Sequence, residues 1–208
     1  MKTIFKTQSN EERREMILNG KVINTLLFLS IPTLLVGIIQ ALIPLSDSLF
    51  LNRLTSVEVA SSVTFSQPVL NIMIALSQGL GVATLVMLGR LYGKGRMLAV
   101  KETMLQIFVF SFVIGLFIIP VCIFSAFIIS KYTTAEIRDN VYIYIALYSL
   151  VMPFVFLAAI YNSSKNAIGR PEVTFIRIFL LLILNMTGPL TDNSLILLGL
   201  LFKLFLIK

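Results

Sequence analysis

Long stretches without a charged side chain are the feature that most limits what this chain can fold into. Each is longer than the roughly 20 apolar residues that a helix needs to cross the hydrocarbon core of a bilayer. Because the stretches are apolar on all sides and do not alternate in polarity, they do not fit the strands of a membrane barrel. The pattern predicts an all-α, polytopic transmembrane helical bundle. The stretches are Val22–Ser46, Val59–Gly89, Thr103–Ser130 and Asn140–Ser164.

Composition supports the membrane assignment. Hydrophobic residues make up 57% of the chain and charged residues 13%, which is too little charge to cover a soluble domain of this length. The chain has one cysteine, Cys122, and no histidine, which excludes a disulfide framework, cysteine zinc sites and histidine chemistry. We therefore expect no enzymatic activity, no cofactor and no metal site.

The apolar stretches predict five spans and one short segment. Residues 1–21 form a polar N-terminal segment that does not resemble a cleavable signal peptide, and residues 22–208 form a single membrane lobe. The last segment, 193–208, is short for a span and could also lie in the interface. The predicted spans are 22–51, 57–90, 102–130, 140–164 and 172–191.

Basic residues predict the orientation. Of the 17 Lys and Arg, 12 lie in the N-terminal segment and in alternate loops, and three lie in the loops between them. The positive-inside rule places the side with more basic residues, and so the N-terminus, in the cytoplasm of a multi-pass cell-membrane protein. The net charge of +7 fits loops that face anionic lipid, and we expect no nucleic-acid partner because the basic residues do not gather on one soluble domain.

Asp47 is the acidic residue that follows a long uncharged run and precedes further apolar residues. An acid at the centre of a membrane helix costs about 2.5–3.5 kcal/mol on insertion, and less near the interface. Two interpretations stay open: an interfacial group paired with Arg53, or a proton or cation site in a water-filled cavity. Gln40 precedes Asp47 by seven residues and so shares its helix face, and Pro44 between them can kink the helix.

A second polar group lies in the next apolar run. Gln67, Asn71 and Gln78 recur at spacings of four and seven, which places them on one side of a helix. They could hydrogen-bond to a neighbouring helix, an interaction worth about 0.6 kcal/mol on average, or face a substrate. Gly79 and Gly81 follow Gln78 in the sequence, and we expect both to permit close packing against a neighbouring helix.

Ordered motifs in three segments resemble the multidrug and toxic compound extrusion (MATE) family. The first-helix pattern of the family corresponds to GKVINTLLFLSIPTLLVGIIQALIPLSDSLFLNRL, through Pro32, Gln40, Asp47, Ser48, Phe50, Arg53 and Leu54. The second helix corresponds to QPVLNIMIALSQGLGVATLVMLGRLYGKGR, through Pro68, Asn71, Ala75, Gly79, Gly81, Arg90, Gly93 and Gly95. The loop before the fifth helix corresponds to YNSSKNAIGRPEV, through Ala167, Gly169 and Pro171.

The resemblance implies a secondary active transporter that exports drugs or other amphiphilic or cationic compounds against an inward flow of protons or sodium ions. The family fold has twelve helices in two six-helix lobes, with substrates bound between them. Asp47 matches the first-helix carboxylate that helps to bind the coupling cation, and Asn185 matches an asparagine of the same polar cluster. Gln40, Gln67, Asn71 and Gln78 are then candidates for the substrate cavity.

The chain also departs from the family pattern. Pro189 stands where the family has a second Asp, and Asp192 lies about 300° further around a helix. Four alternatives follow for a chain of this length: a truncated N-terminal lobe that lacks its C-terminal partner, a homodimer that makes up two lobes, a non-transporting protein or inactive remnant that binds a partner or lipid, and a lipid-linked saccharide flippase of the wider superfamily. The flippase would be expected to carry arginines inside the membrane cavity.

Overall fold

The computed structural model describes residue 15 and residues 17–187, apart from the side chains at positions 50, 54 and 184–187. All regular secondary structure in this part of the chain is helical, so the prediction of an all-α fold is confirmed. The helices are α1 (Val22–Leu54), α2 (Val57–Gly93), α3 (Met97–Lys131), α4 (Arg138–Ala167) and α5 (Pro171–Thr187).

Helices α1 to α4 are each long and apolar enough to cross a bilayer, which indicates a multi-pass membrane protein. Helix α5 has 17 residues. The end of the predicted fifth span and the segment 193–208 lie outside the described residues.

The helices form two compact units. The two-helix unit comprises α1 and α5, and the three-helix unit comprises α2, α3 and α4 within Thr55–Ile168. In the first unit α1 packs against α5, and in the second α4 packs against both α2 and α3. The expectation of a single lobe over 22–208 stays a prediction.

Small side chains line the helix contacts of the three-helix unit. At such contacts in membranes, small residues let two backbones approach closely and gain dispersion contacts. Buried residues of this kind are Ser62, Ser66, Ser77, Gly81 and Thr84 on α2, Ser111, Gly115, Cys122, Ala126 and Ser130 on α3, and Ser149 and Ser164 on α4.

Two glycines mark close approaches between these helices. A Cβ atom built on Gly115 would lie 2.5 Å from the Pro153 Cα, and one built on Gly81 would lie 2.7 Å from the Ser163 Oγ. By contrast, no atom of the described residues lies within 4 Å of a Cβ built on Gly79. The prediction that both glycines of α2 permit close packing is therefore confirmed for Gly81, whereas Gly79 makes no such contact within the described part of the chain.

Larger apolar side chains form three clusters along the three-helix unit. Each draws residues from at least two helices, so the clusters bind the helix ends as well as the helix centres together. The central cluster contains Leu70, Met73, Cys122 and Met152. One end contains Leu88, Tyr92 and Val100, and the other contains Ala126, Val141 and Ile145.

A tight turn joins α2 to α3. Gly95 has a φ of 74°, a conformation that glycine adopts without steric cost. The Gly95 N–H donates to the Tyr92 carbonyl at 2.9 Å, and the Arg96 N–H donates to the Leu91 carbonyl at 3.2 Å. This pair of bonds is the Schellman arrangement, which satisfies the last carbonyls of a helix, so the turn holds the two helices in a defined geometry.

Candidate functional site

Asp47 lies on α1 at an exposed position. The helix continues without interruption for about two turns beyond it, to Leu54, so the carboxylate lies within the helix and not at its end. Arg53 follows six residues later, which corresponds to about 120° around the helix. That angle places the two side chains on different faces of α1 and does not favour an Asp47–Arg53 pair along the helix.

Gln40 shares the face of Asp47. A separation of seven residues on a continuous helix leaves the two side chains within about 20° of each other, and both are exposed. Pro44 lies between them inside the helix and has no N–H to donate to the Gln40 carbonyl. This face of α1 therefore presents a carboxylate, an amide side chain and a backbone carbonyl that the helix itself does not use.

Neighbouring polar groups of α1 are hydrogen-bonded within the helix. The Ser46 hydroxyl donates to the Ile43 carbonyl at 2.8 Å, and the Asn52 side-chain amide donates to the Ser48 carbonyl at 2.8 Å. Such local bonds are usual for short polar side chains in membrane helices. Ser46 and Asn52 thus donate their side-chain hydrogen bonds to backbone carbonyls of α1. An ionised Asp47 cannot do the same, because its carboxylate has only acceptors.

The three amides predicted on α2 lie on one continuous helix, Val57–Gly93. Gln67, Asn71 and Gln78 are all exposed, whereas the side of α2 that packs in the three-helix unit carries buried residues such as Leu70 and Ser77. Exposed amides do not fill the contacts among α2, α3 and α4. The geometry thus gives no support to interhelical hydrogen bonding within this unit and leaves the amides available to a ligand or to another surface.

The structure brings the predicted site residues together in two groups. Asp47 and Gln40 share a face in the two-helix unit, and the three amides share a face in the three-helix unit. Asn185 belongs to the last turns of α5, and its side chain lies outside the described residues. Pro189 and Asp192 also lie outside them.

A polar segment near the end of α4 was not predicted as part of a site. Asn162, Ser163 and Asn166 are half-buried, and Ser164 is buried. Its hydroxyl oxygen has no hydrogen-bond partner among the described residues. The available signal was a run of five consecutive polar residues, 162–166, near the end of an otherwise apolar helix.

Metal chemistry has no obvious location in the described part of the chain. No group of three or more His, Cys, Asp and Glu side chains lies close enough there to hold a metal ion. The polar groups on α1 and α2 instead offer carboxylate, amide and carbonyl oxygens, which suit a monovalent cation or a hydrogen-bonding organic ligand.

Comparison with known proteins identified a family. The family model described as MatE matches residues 32–189, which is more than half of the chain and includes Asp47, the three amides and all of α2 to α5. No curated protein and no solved structure matches the chain.

Proposed function

The chain belongs to the MatE family, and from that membership we propose that it exports drugs or other amphiphilic and cationic compounds in exchange for protons or sodium ions. Members of this family are membrane transporters and not enzymes. We propose that the chain acts as the N-terminal lobe of such an antiporter, because the motifs that resemble the family belong to its first lobe. It would lie in the cell membrane with its N-terminus in the cytoplasm, the side favoured by its basic residues.

The observation that carries the proposal is the exposed carboxylate of Asp47 on a membrane helix. A charge within a membrane helix is costly unless water or a counter-ion accompanies it. Binding of a proton or a sodium ion to the Asp47 carboxylate removes that cost. Helix α1 therefore favours different surroundings when Asp47 is ionised and when it has bound a proton or a sodium ion. A difference of this kind is what couples an ion gradient to a change of conformation.

Gln40 is proposed to assist Asp47. Hard cations take oxygen ligands, and the same face of α1 offers the Gln40 side-chain oxygen and the backbone carbonyl freed by Pro44. Asn185 is proposed as a further ligand from the resemblance alone. A proton would need only the carboxylate, so replacement of Gln40 would weaken sodium coupling more than proton coupling.

The amide face of α2 is proposed to contact substrate. Gln67, Asn71 and Gln78 can each donate and accept hydrogen bonds but supply no charge. Such a surface would tolerate compounds of varied shape while giving no preference for one sign of charge.

Alternating access needs two bundles that move against each other. The partner is therefore proposed to be either a C-terminal lobe or a second copy of this chain. Both copies of a homodimer would insert with the same orientation, because each carries the same strong bias of basic residues.

Reconstitution of the full chain in vesicles tests the proposal. A proton or sodium gradient is imposed and the efflux of a fluorescent cationic dye is followed for the wild type, Asp47→Asn and Glu58→Gln. Glu58 is a matched control, because it is an exposed acid in the first turn of α2 and lies outside the uncharged runs. We expect Asp47→Asn to lower gradient-driven efflux at least tenfold and Glu58→Gln to leave it unchanged.

The other outcomes discriminate among the alternatives. Equal loss in both variants would contradict a specific role for Asp47. Absence of efflux from well-folded wild-type protein, alone and in the presence of a C-terminal lobe, would favour a membrane protein that binds a partner or lipid without transport. Efflux from the chain alone would favour the homodimer.

A further inference from the structure

The two ends of the three-helix unit differ strongly in charge. One end, here called the basic end, carries five basic residues and one acid, Glu102. The opposite end carries two basic residues and three acids. The basic end consists of Arg90, Lys94, Arg96, Lys101 and Lys165. The opposite end consists of Glu58, Lys131, Glu136, Arg138 and Asp139.

Packing holds the charges of the basic end together. The cluster of Leu88, Tyr92 and Val100 is contacted by Ala167 and Ile168, so the end of α2, the start of α3 and the end of α4 meet at one place. Residues that are separated by more than 60 positions in the sequence thus contribute to one surface. The charge difference between the ends is a property of the folded unit and not only of its loops.

The turn between α2 and α3 presents the central part of this surface. Lys94 and Arg96 flank Gly95, and both are exposed. The backbone hydrogen bonds of the turn hold the two residues at a short, defined separation. Arg90 and Lys101, one on each adjoining helix, are exposed as well.

An exposed leucine accompanies the basic residues. Leu98 is 78% exposed and lies between Arg96 and Lys101 in the sequence. A surface for a soluble anion or a nucleic acid gains nothing from a bare leucine, whereas basic groups beside an apolar side chain suit the boundary between headgroups and acyl chains. The uncharged runs of α2 and α3 end at Gly89 and begin at Thr103, which places the same residues close to headgroup depth.

We propose that the basic end of the three-helix unit binds the phosphodiester headgroups of anionic phospholipids, with Lys94 and Arg96 as the central contacts. An arginine can contact two phosphate oxygens at once, and a lysine contributes a compact positive charge. Leu98 would enter the acyl region beside the bound headgroup. Lipid bound in this way would hold the ends of α2 and α3 at a fixed depth in the membrane.

Lipid titration of the full chain in neutral detergent micelles tests this inference. Phosphatidylglycerol is the anionic probe and phosphatidylcholine the zwitterionic control, and the rise in the thermal unfolding midpoint reports binding. The test variant is K94Q/R96Q. The matched variant is K131Q/R138Q, which removes two exposed basic residues from the opposite end.

We expect phosphatidylglycerol to stabilise the wild type at a lower mole fraction than phosphatidylcholine. Each basic residue near an anionic membrane surface contributes a factor of about five to binding, so K94Q/R96Q should raise the half-saturating mole fraction at least fivefold. K131Q/R138Q should leave it within about twofold. Added salt should weaken the wild-type preference, since screening weakens exposed charge interactions.

Three results would overturn the inference: equal effects of the two double variants, equal stabilisation by the two lipids, or displacement of the lipid by millimolar inorganic phosphate. Circular dichroism without added lipid establishes that each variant is folded. If K94Q/R96Q fails to fold, R90Q/K101Q serves the same purpose with substitutions on the helices, and K94R/K101R, which keeps the charge, should retain the lipid preference.

Discussion

The two units of this protein use similar apolar sequences in different ways. In the three-helix unit, α2 and α3 each have buried small residues along most of the helix, and α4 buries mainly larger residues such as Ile145 and Phe156. In α1, only Pro32 and Ile39 are buried among the described side chains, and large apolar residues such as Leu26 and Leu34 are exposed at 58% and 63%. The two units differ in the share of each helix that is buried and not in overall hydrophobicity.

This contrast predicts that the two units differ in their resistance to local opening. Close packing makes the three-helix unit resistant to local opening, whereas segments with few buried contacts open at lower free energy. Asp47 lies on the less buried helix, where rearrangement on loading of a cation would be least restricted. Substitutions can therefore be chosen that affect one unit without the other.

The largest effect on stability is expected for Gly115→Ala. Its new Cβ would meet the Pro153 Cα at 2.5 Å, and this backbone atom cannot move without shifting α4. Overpacking of this kind costs about 1–3 kcal/mol, and we expect a loss near the upper limit, about 3 kcal/mol, in the free energy of unfolding. Reversible unfolding in mixed micelles measures it.

Gly79→Ala is the control for this substitution. No atom of the described residues lies within 4 Å of its Cβ position, and alanine is favoured over glycine inside a helix by about 0.5–1 kcal/mol. The control should be neutral or slightly stabilising. Equal destabilisation by both substitutions would show that the Gly115 contact does not limit the packing.

A smaller effect is expected for Gly81→Ala, about 1 kcal/mol. Its new Cβ would meet the Ser163 Oγ at 2.7 Å, which is the end of a side chain and can rotate away. The double variant G81A/S163A should recover most of the lost stability, because the clashing atom is removed. A double-mutant cycle from unfolding measurements gives the coupling, and additive losses would contradict the contact.

The smallest stability effect is expected for alanine at the three amides of α2. Gln67, Asn71 and Gln78 are exposed, and surface substitutions usually change stability by less than about 0.5 kcal/mol each. Equilibrium binding of the cationic dye to the triple variant should nevertheless weaken several-fold, if the amides contact substrate. A loss of more than about 2 kcal/mol in stability would instead assign them to helix packing.

Much of the fold was predictable from the sequence because the signal is local. The uncharged runs predict membrane helices, and the ordered first-helix and second-helix motifs predict the family, which the match over residues 32–189 confirms. Helices α2 to α4 extend past the uncharged runs at both ends, because charged residues such as Arg90 and Lys101 continue a helix where hydropathy no longer marks it. The functional assignment of Asp47 stays a prediction.

Contacts between distant positions were not predictable in the same way. Nothing near Gly115 in the sequence indicates that Pro153 packs on it, and the glycines at 79 and 81 look alike although only one lies at a close contact. The exposure of the three amides depends on which side of α2 its neighbours cover. Prediction of these contacts and exposures requires the register between neighbouring helices. The helical periodicity of a single sequence does not supply that register.

The hydroxyl groups of the three-helix unit have a consequence for how the protein is made. Ser66 donates to the Ser62 carbonyl at 2.7 Å, Thr84 to Leu80 at 2.8 Å and Ser149 to Ala146 at 2.6 Å, so each bond stays within one helix. A hydroxyl that donates within its own helix brings no unsatisfied donor into lipid. These three hydroxyls therefore do not require their helices to meet a packing neighbour before they enter the bilayer.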